Sequence, residues 1–131
     1  MKKAQASFEY IMLVGIVFFF VVFILYYTLI ESNQTIKMNM ANDAVTKVAK
    51  TADMVYALGP GSQDYIQIEM PNGVQSTNLS NKKISLKIKI FSSVSDVFDE
   101  TKANITGTLP TKGGIQHISV KVLNNYTVQI S

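Results

Sequence analysis

The sequence predicts an α+β protein in which one long N-terminal helix packs against a small antiparallel β-sheet. Only Gly15 interrupts the large apolar side chains of Ile11–Leu25, and no Pro or Gly occurs in Ile16–Leu58. After Gly59-Pro60-Gly61 the apolar residues alternate with polar ones, which is the period of strands with one buried face. A helix followed by several short strands gives this fold class.

The apolar stretch is long enough to cross a bilayer. A helix over Ile11–Ile30 would measure about 30 Å, at roughly 1.5 Å per residue, which matches the hydrocarbon core of a membrane. Lys2 and Lys3 precede it and Glu31 follows it. The positive-inside rule therefore predicts a single pass, with the N-terminus in the cytoplasm and the C-terminal part outside.

The residues around this stretch are not arranged as in an ordinary secretory signal, where small residues follow the apolar core and cleavage removes it. The one small-x-small triplet of the region, Ala4-Gln5-Ala6, lies before the core. A cut there would remove the two lysines and keep the apolar helix in the mature protein.

Gln5, Ser7, Glu9 and Leu13, ahead of a long apolar run, form the pattern QxSxExxxL. This pattern resembles the archaeal class III signal peptide of type IV pilin-like proteins, and the resemblance covers about the first 30 residues. It implies that a membrane-embedded prepilin peptidase cuts the Ala4–Gln5 bond. It also implies that the processed chain lies in the lipid bilayer until assembly machinery adds it to a surface filament of other copies or paralogous pilins.

Glu9 is the residue of this motif with the most specific chemistry, because a carboxylate near an apolar layer needs a partner or access to water. The resemblance implies that Glu9 pairs in the filament with the amine of Gln5, or with the Gln5 amide and Ser7 hydroxyl of a neighbour. If Gln5 cyclises to a neutral lactam, Glu9 has a hydrogen-bond partner and not an ion partner. Two simpler alternatives are an interfacial Glu9 among headgroups, and Ser7 as a helix N-cap with Glu9 in the first turn. Gly15 either marks a close helix approach in assembly or is merely tolerated.

The helix is expected to continue beyond the membrane to Leu58, with a break near Ser32–Gln34 as an alternative. Apolar residues of this segment recur in steps of three and four, which describes one helical stripe. The stripe consists of Met38, Ala41, Val45, Val48, Ala52 and Val55. We expect the C-terminal part of the chain to cover it; the alternative is an independent coiled coil.

The C-terminal part is expected to hold four to six antiparallel strands. Alternating segments occur at residues 66–70, 74–79, 84–90, 105–109, 118–122 and 126–130. Residues 92–102 fit either a short helix or a bulged edge strand. Pro71-Asn72-Gly73, Asn81-Lys82 and Lys112-Gly113-Gly114 indicate turns, and Asn124-Asn125 indicates a two-residue hairpin turn.

Four segments follow from these boundaries. Residues 1–4 are a cleaved leader, and residues 5–30 are the transmembrane and polymerisation helix. Residues 31–58 extend this helix as an amphipathic segment, and residues 59–131 form an extracellular antiparallel β-domain.

Four Asn-x-Ser/Thr triplets are candidate N-glycosylation sites on the predicted outer side, where glycans would solubilise a filament surface. Their acceptors are Asn33, Asn78, Asn104 and Asn125. Asn125 is the least favourable of them if it occupies a tight turn.

The sequence has no pattern of an enzyme, a cofactor site or a metal site. It contains no Cys, its twelve basic residues are all Lys, and its single His, His117, falls on the polar face of a predicted strand. Asp96, Asp99 and Glu100 form a small acidic group that is more simply a solvated surface than a calcium site. The net charge is only +3, and without Arg or Trp the chain lacks the main contacts for nucleic acid.

Two functions are consistent with these features. The first is a structural subunit, a major or minor pilin of an archaeal type IV pilus-like filament, assembled through its hydrophobic helix. The alternative is a single-pass anchored module that displays its sheet for adhesion or substrate binding and does not polymerise.

Overall fold

The structure, a computed structural model, describes residues 2–131 and has the predicted α+β class. Helix α1 spans Lys2–Leu58 without interruption, so the alternative of a break near Ser32–Gln34 is wrong. Gly59 ends the helix with a φ of +95°, and its N–H donates to the carbonyl of Tyr56 at 3.1 Å. The predicted end of the helix is therefore confirmed, because only glycine adopts this backbone conformation cheaply.

Seven strands follow the helix and form two sheets. They are β1 (Gln63–Met70), β2 (Val74–Ser80), β3 (Lys83–Ile90), β4 (Ser93–Glu100), β5 (Ile105–Gly107), β6 (Gly114–Val122) and β7 (Val128–Ile130). One sheet has the order β1-β6-β7-β5 and the other the order β2-β3-β4.

This count corrects the expectation of four to six antiparallel strands in one sheet. The ambiguous segment is β4, an edge strand in regular antiparallel register with β3 and not a short helix. β5 and β7 pair in parallel, although all other pairs are antiparallel. Alternation within a strand does not report the direction of its neighbour, so local periodicity could not predict this pair.

The chain divides into two compact units, Met1–Thr35 and Ile36–Ser131. The second unit contains one continuous hydrophobic core, to which the helix and both sheets contribute. Five of the six predicted stripe positions are buried there, and Met38 is half-buried. The sheets therefore cover the stripe, as expected, and the segment is not an independent coiled coil. The sequence analysis missed Ala44, Ala49 and Thr51, which widen the buried face.

Two polar contacts tie the helix to the β-domain. The Lys47 ammonium donates to the main-chain carbonyl of Gln67 on the edge strand β1, at 2.6 Å. The Asp53 carboxylate accepts the N–H of Lys102 at 2.7 Å. Hydrogen bonds with one charged partner are stronger than neutral ones, so these contacts help to fix the helix on the sheets.

The turn residues are partly as predicted. Asn81 and Lys82 both have positive φ values, 46° and 66°, which is the conformation of a type I′ hairpin turn between β2 and β3. The predicted turn at Asn124-Asn125 is present, because these two residues are the central pair of a β-turn from Leu123 to Tyr126. The connection is longer than the predicted two-residue hairpin loop, because β6 ends at Val122 and β7 begins at Val128. Tyr126 carries the positive φ, 59°, in this longer loop.

The longer loop is closed by hydrogen bonds. The N–H of Leu123 donates to the carbonyl of Thr127 at 2.8 Å, and the N–H of Tyr126 donates to the carbonyl of Leu123 at 3.0 Å. The Asn125 side chain also accepts the N–H of Thr127, at 3.2 Å. Asn125 thus stabilises the loop through its side chain, whereas the positive φ of this loop is at Tyr126.

Candidate assembly and processing site

The N-terminal unit has a helix surface that is apolar on all sides and exposed. From Phe8 to Leu29, its large apolar side chains are between 46% and 70% exposed. By length and composition, α1 is able to cross a membrane, and the most apolar window of it is not buried. Apolar surface of this extent is unfavourable in water, so lipid or other apolar surfaces around this segment would stabilise it.

The four motif residues do not all share one helix face. Gln5, Glu9 and Leu13 follow one another in steps of four, so they lie within a narrow sector at about 100° per residue. Ser7 lies about 200° from Gln5, on the other side of the helix. Within one chain the structure therefore aligns Gln5 with Glu9 and separates Ser7 from both.

Glu9 is solvent-exposed, and its side-chain carboxylate has no hydrogen-bond or ion-pair partner among the described residues 2–131. The alternative of Ser7 as a helix N-cap is wrong for this chain, because the helix already begins at Lys2. The first turn contains no acidic residue, so Glu9 does not interact there with the helix dipole.

The Ala4–Gln5 bond lies near the start of the helix. The first four N–H groups of any helix have no intrahelical partner, and terminal turns open at little cost. A peptidase that needs an extended substrate could therefore unwind this turn without disturbing the segment behind it. Gly15 lies farther along, and no atom would be within 4 Å of a Cβ added to it. It is thus a gap in a surface that is otherwise bulky.

All four candidate glycosylation sites are exposed. Asn33 lies inside the continuous helix α1, Asn78 in β2, and Asn104 just before β5. Asn125 lies in the loop before β7, and its side chain accepts the N–H of Thr127. Modification of Asn33 requires local unwinding of the helix if the transferase binds an extended acceptor, whereas Asn104 and Asn125 are already outside regular structure.

The remaining polar candidates do not converge into a site. His117 is exposed on β6. In β4, Asp96 and Glu100 pair with lysines of β3, whereas Asp99 pairs with Ile84 and lies on the other face of the strand. In the described part of the chain, no three His, Cys, Asp or Glu residues are grouped as metal ligands.

Two features were not predictable from the sequence pattern. The first is a recess of about 380 Å³ between α1 and the four-stranded sheet, lined by Met40, Asp43 and Lys47 of the helix, Gln67 and Glu69 of β1, and Ile115 of β6. The second is Tyr65 of β1, whose side chain is 75% exposed. The only signal was the position of Tyr65 among polar residues that alternate with Ile66 and Ile68.

No family model, curated protein or solved structure matches this chain in sequence or fold.

Proposed function

We propose that this chain is a structural subunit of an archaeal type IV pilus-like surface filament. In this proposal a prepilin peptidase cuts the Ala4–Gln5 bond, and the chain waits in the membrane with its N-terminus inside. Assembly machinery then moves it into a filament of other copies or paralogous pilins. The supporting observation is the exposed apolar surface from Phe8 to Leu29, which directly follows the processing motif.

The helix surface suits two successive environments. In the membrane its aliphatic and aromatic side chains contact lipid, and in the filament they contact neighbouring helices. Glu9 distinguishes an assembling subunit from a plain membrane anchor, because an anchor gains nothing from a carboxylate one turn before its apolar core. In a bundle of helices the carboxylate can accept from the N-terminal Gln5 of a neighbour, a contact that is strong where water is excluded. The alignment of Gln5 and Glu9 on one face permits such pairing along a stack of subunits.

Mass spectrometry of the protein purified from its native cells tests the processing step. We expect the mature chain to begin at Gln5, or at its cyclised form, which is lighter by one ammonia. A mature protein that retains Met1, or one that is cut after Ile30, contradicts the proposal.

Substitution of Glu9 tests the assembly step. We expect Glu9→Ala to leave the amount of membrane protein unchanged and to abolish or strongly reduce filaments in electron micrographs. Glu9→Gln should retain part of the assembly if the contact is a hydrogen bond to cyclised Gln5. Glu31→Ala is a matched control, because Glu31 is an exposed carboxylate on the same helix beyond its apolar run. Normal filaments from Glu9→Ala would exclude intersubunit pairing.

A second candidate is the anchored adhesion or substrate-binding module. The exposed Tyr65 on the outer face of the four-stranded sheet favours it, because a ring in that position contributes nothing to the core. Electron microscopy of cells with and without the chain separates the two candidates, since only a pilin is required for filaments.

A further inference from the structure

The four-stranded sheet has an outer face that no part of the C-terminal unit covers. Its inner positions, such as Ile68, Met70 and Val120, are buried in the core. The register aligns the outward side chains in rows across the strands, because side chains alternate between faces. The rows are Gln63–Lys121–Gln129–Thr106, Tyr65–Ser119, Gln67–His117 and Glu69–Ile115.

The centre of this face is polar but carries almost no charge. Among the side chains of these rows, amides, hydroxyls and one imidazole fill the centre, while one lysine and one side-chain carboxylate stand in the first and last rows. The outer face of the other sheet is different, because it is highly charged. Lys83, Lys87 and Lys89 of β3 project from it. Asp96 and Glu100 of β4 project from the same face, opposite Lys87 and Lys83. The two faces therefore suit partners of different charge, and the four-stranded sheet suits an uncharged one.

Tyr65 lies on the edge strand β1, in the second row of this face, and one hydrogen bond orients its side chain. The Gln63 amide donates to its hydroxyl at 2.8 Å, and the two side chains project from the same side of β1. Beside it, the hydroxyls of Ser119 and Ser131 are 2.8 Å apart and hydrogen-bonded to each other. A single exposed tyrosine is ordinary on a protein surface. A tyrosine whose ring direction is already set loses little conformational entropy when a ligand stacks on it.

We infer that this outer face, with Tyr65 on its β1 edge, binds neutral polysaccharide. The C–H groups of a sugar ring carry partial positive charge and stack on the negative face of an aromatic ring. Sugar hydroxyls both donate and accept hydrogen bonds, and the surrounding amides and hydroxyls offer both kinds of group. The distance from Gln63 to Glu69 along β1 is about 20 Å, at roughly 3.4 Å per residue. This length accommodates several sugar rings in a row.

The recess beside β1 borders this face but is charged, because Asp43, Lys47 and Glu69 line it. Gln67 and Glu69 project from the outer face and also line this recess, whose far wall is formed by Met40 and Asp43 of α1. A branch or a bulky end of a polysaccharide chain thus has space at the edge of the sheet. This inference does not rest on filament assembly, because a subunit and a solitary anchored protein expose the face equally.

Sedimentation with insoluble polysaccharides and affinity electrophoresis in gels that contain soluble ones test the inference. The purified full-length chain in detergent micelles is incubated with cellulose, chitin, starch, α-mannan, galactan and, as an anionic probe, heparin-agarose. We expect binding to at least one of the neutral polymers, whereas any binding to heparin-agarose through the lysines of β3 should not change with Tyr65→Ala. Tyr65→Ala should weaken that binding at least tenfold, and Tyr65→Phe, which keeps the ring and loses the Gln63 contact, about two- to fivefold.

Phe98→Ala is the matched control, because Phe98 is a 58% exposed ring on the outer face of the other sheet. It should leave binding within twofold of the wild type, and circular dichroism should show that all variants remain folded. The inference is overturned if no neutral polymer is bound or if heparin-agarose alone is bound. It is equally overturned if Tyr65→Ala binds like the wild type or if Phe98→Ala weakens binding as much as Tyr65→Ala does.

Discussion

Val48→Ala tests whether the helix stripe holds the β-domain together. Val48 is 0% exposed and lies in the core between the helix and the sheets. Removing its two methyl groups loses about 1.6 kcal/mol of transfer free energy, at roughly 0.8 kcal/mol per buried carbon. The remaining cavity adds about 1 kcal/mol, and the better helix propensity of Ala returns about 0.5 kcal/mol. We expect the free energy of unfolding to fall by about 2 kcal/mol.

Thermal unfolding of the full-length chain in detergent micelles, followed by near-ultraviolet circular dichroism of the tyrosines, measures this change. For a domain of this size, 1 kcal/mol corresponds to about 4–8 °C, so the midpoint should fall by about 8–16 °C. Met54→Ala is the control, because Met54 is on the same helix and 57% exposed. It should change the free energy by no more than about 0.5 kcal/mol. If Val48→Ala unfolds at the wild-type temperature, the stripe does not pack on the sheets and the reasoning is refuted.

Further predictions concern the domain and its modification. Gly107→Ala should prevent folding or lower the free energy of unfolding by more than about 3 kcal/mol, as measured by the same thermal transition. The reason is that Gly107 has a φ of +120° and that a Cβ there would overlap a β7 carbonyl. Asp53→Ala should lower the free energy of unfolding by about 1 kcal/mol and Asp53→Asn by less, since only Asn keeps an acceptor for the N–H of Lys102. A chain that lacks Gln5–Ile30 should be soluble and monomeric in sedimentation experiments; polymerisation of it would show that the apolar helix is not needed. Glycopeptide mass spectrometry should find glycans in the β-domain and none at Asn33, which lies inside the helix.

Local periodicity predicted most of the secondary structure. The helix end at Leu58 followed from Gly59, because a glycine after an apolar stripe is a strong stop signal. The strands β1, β3 and β6 followed from strict alternation, which requires one buried and one solvated face. The buried valines of the helix stripe were predictable for the same reason.

Periodicity could not predict the features of the fold that depend on contacts between residues far apart in the sequence. The parallel pairing of β5 with β7 and the division into two sheets are set by the path of the chain, and alternation does not record that path. Ala44 and Ala49 carry too little apolar surface to stand out in a sequence pattern, although both are buried. Ser7 was weighed as a cap because a short polar residue precedes the apolar run, but the helix extends five residues farther toward the N-terminus.

The same helix contains two kinds of apolar surface, and only one of them is free to bind other chains. Between Ala41 and Val55 the buried apolar side chains are only Ala and Val, and the two sheets already cover them. Between Phe8 and Leu29 the side chains are large and none is buried. A substitution in the first group should therefore unfold the domain, whereas a substitution in the second should change membrane retention or assembly and leave the domain folded. In the proposed filament subunit, this separation would keep the domain folded while the helix passes from lipid to neighbouring helices, because the contacts that change are not those that stabilise the domain.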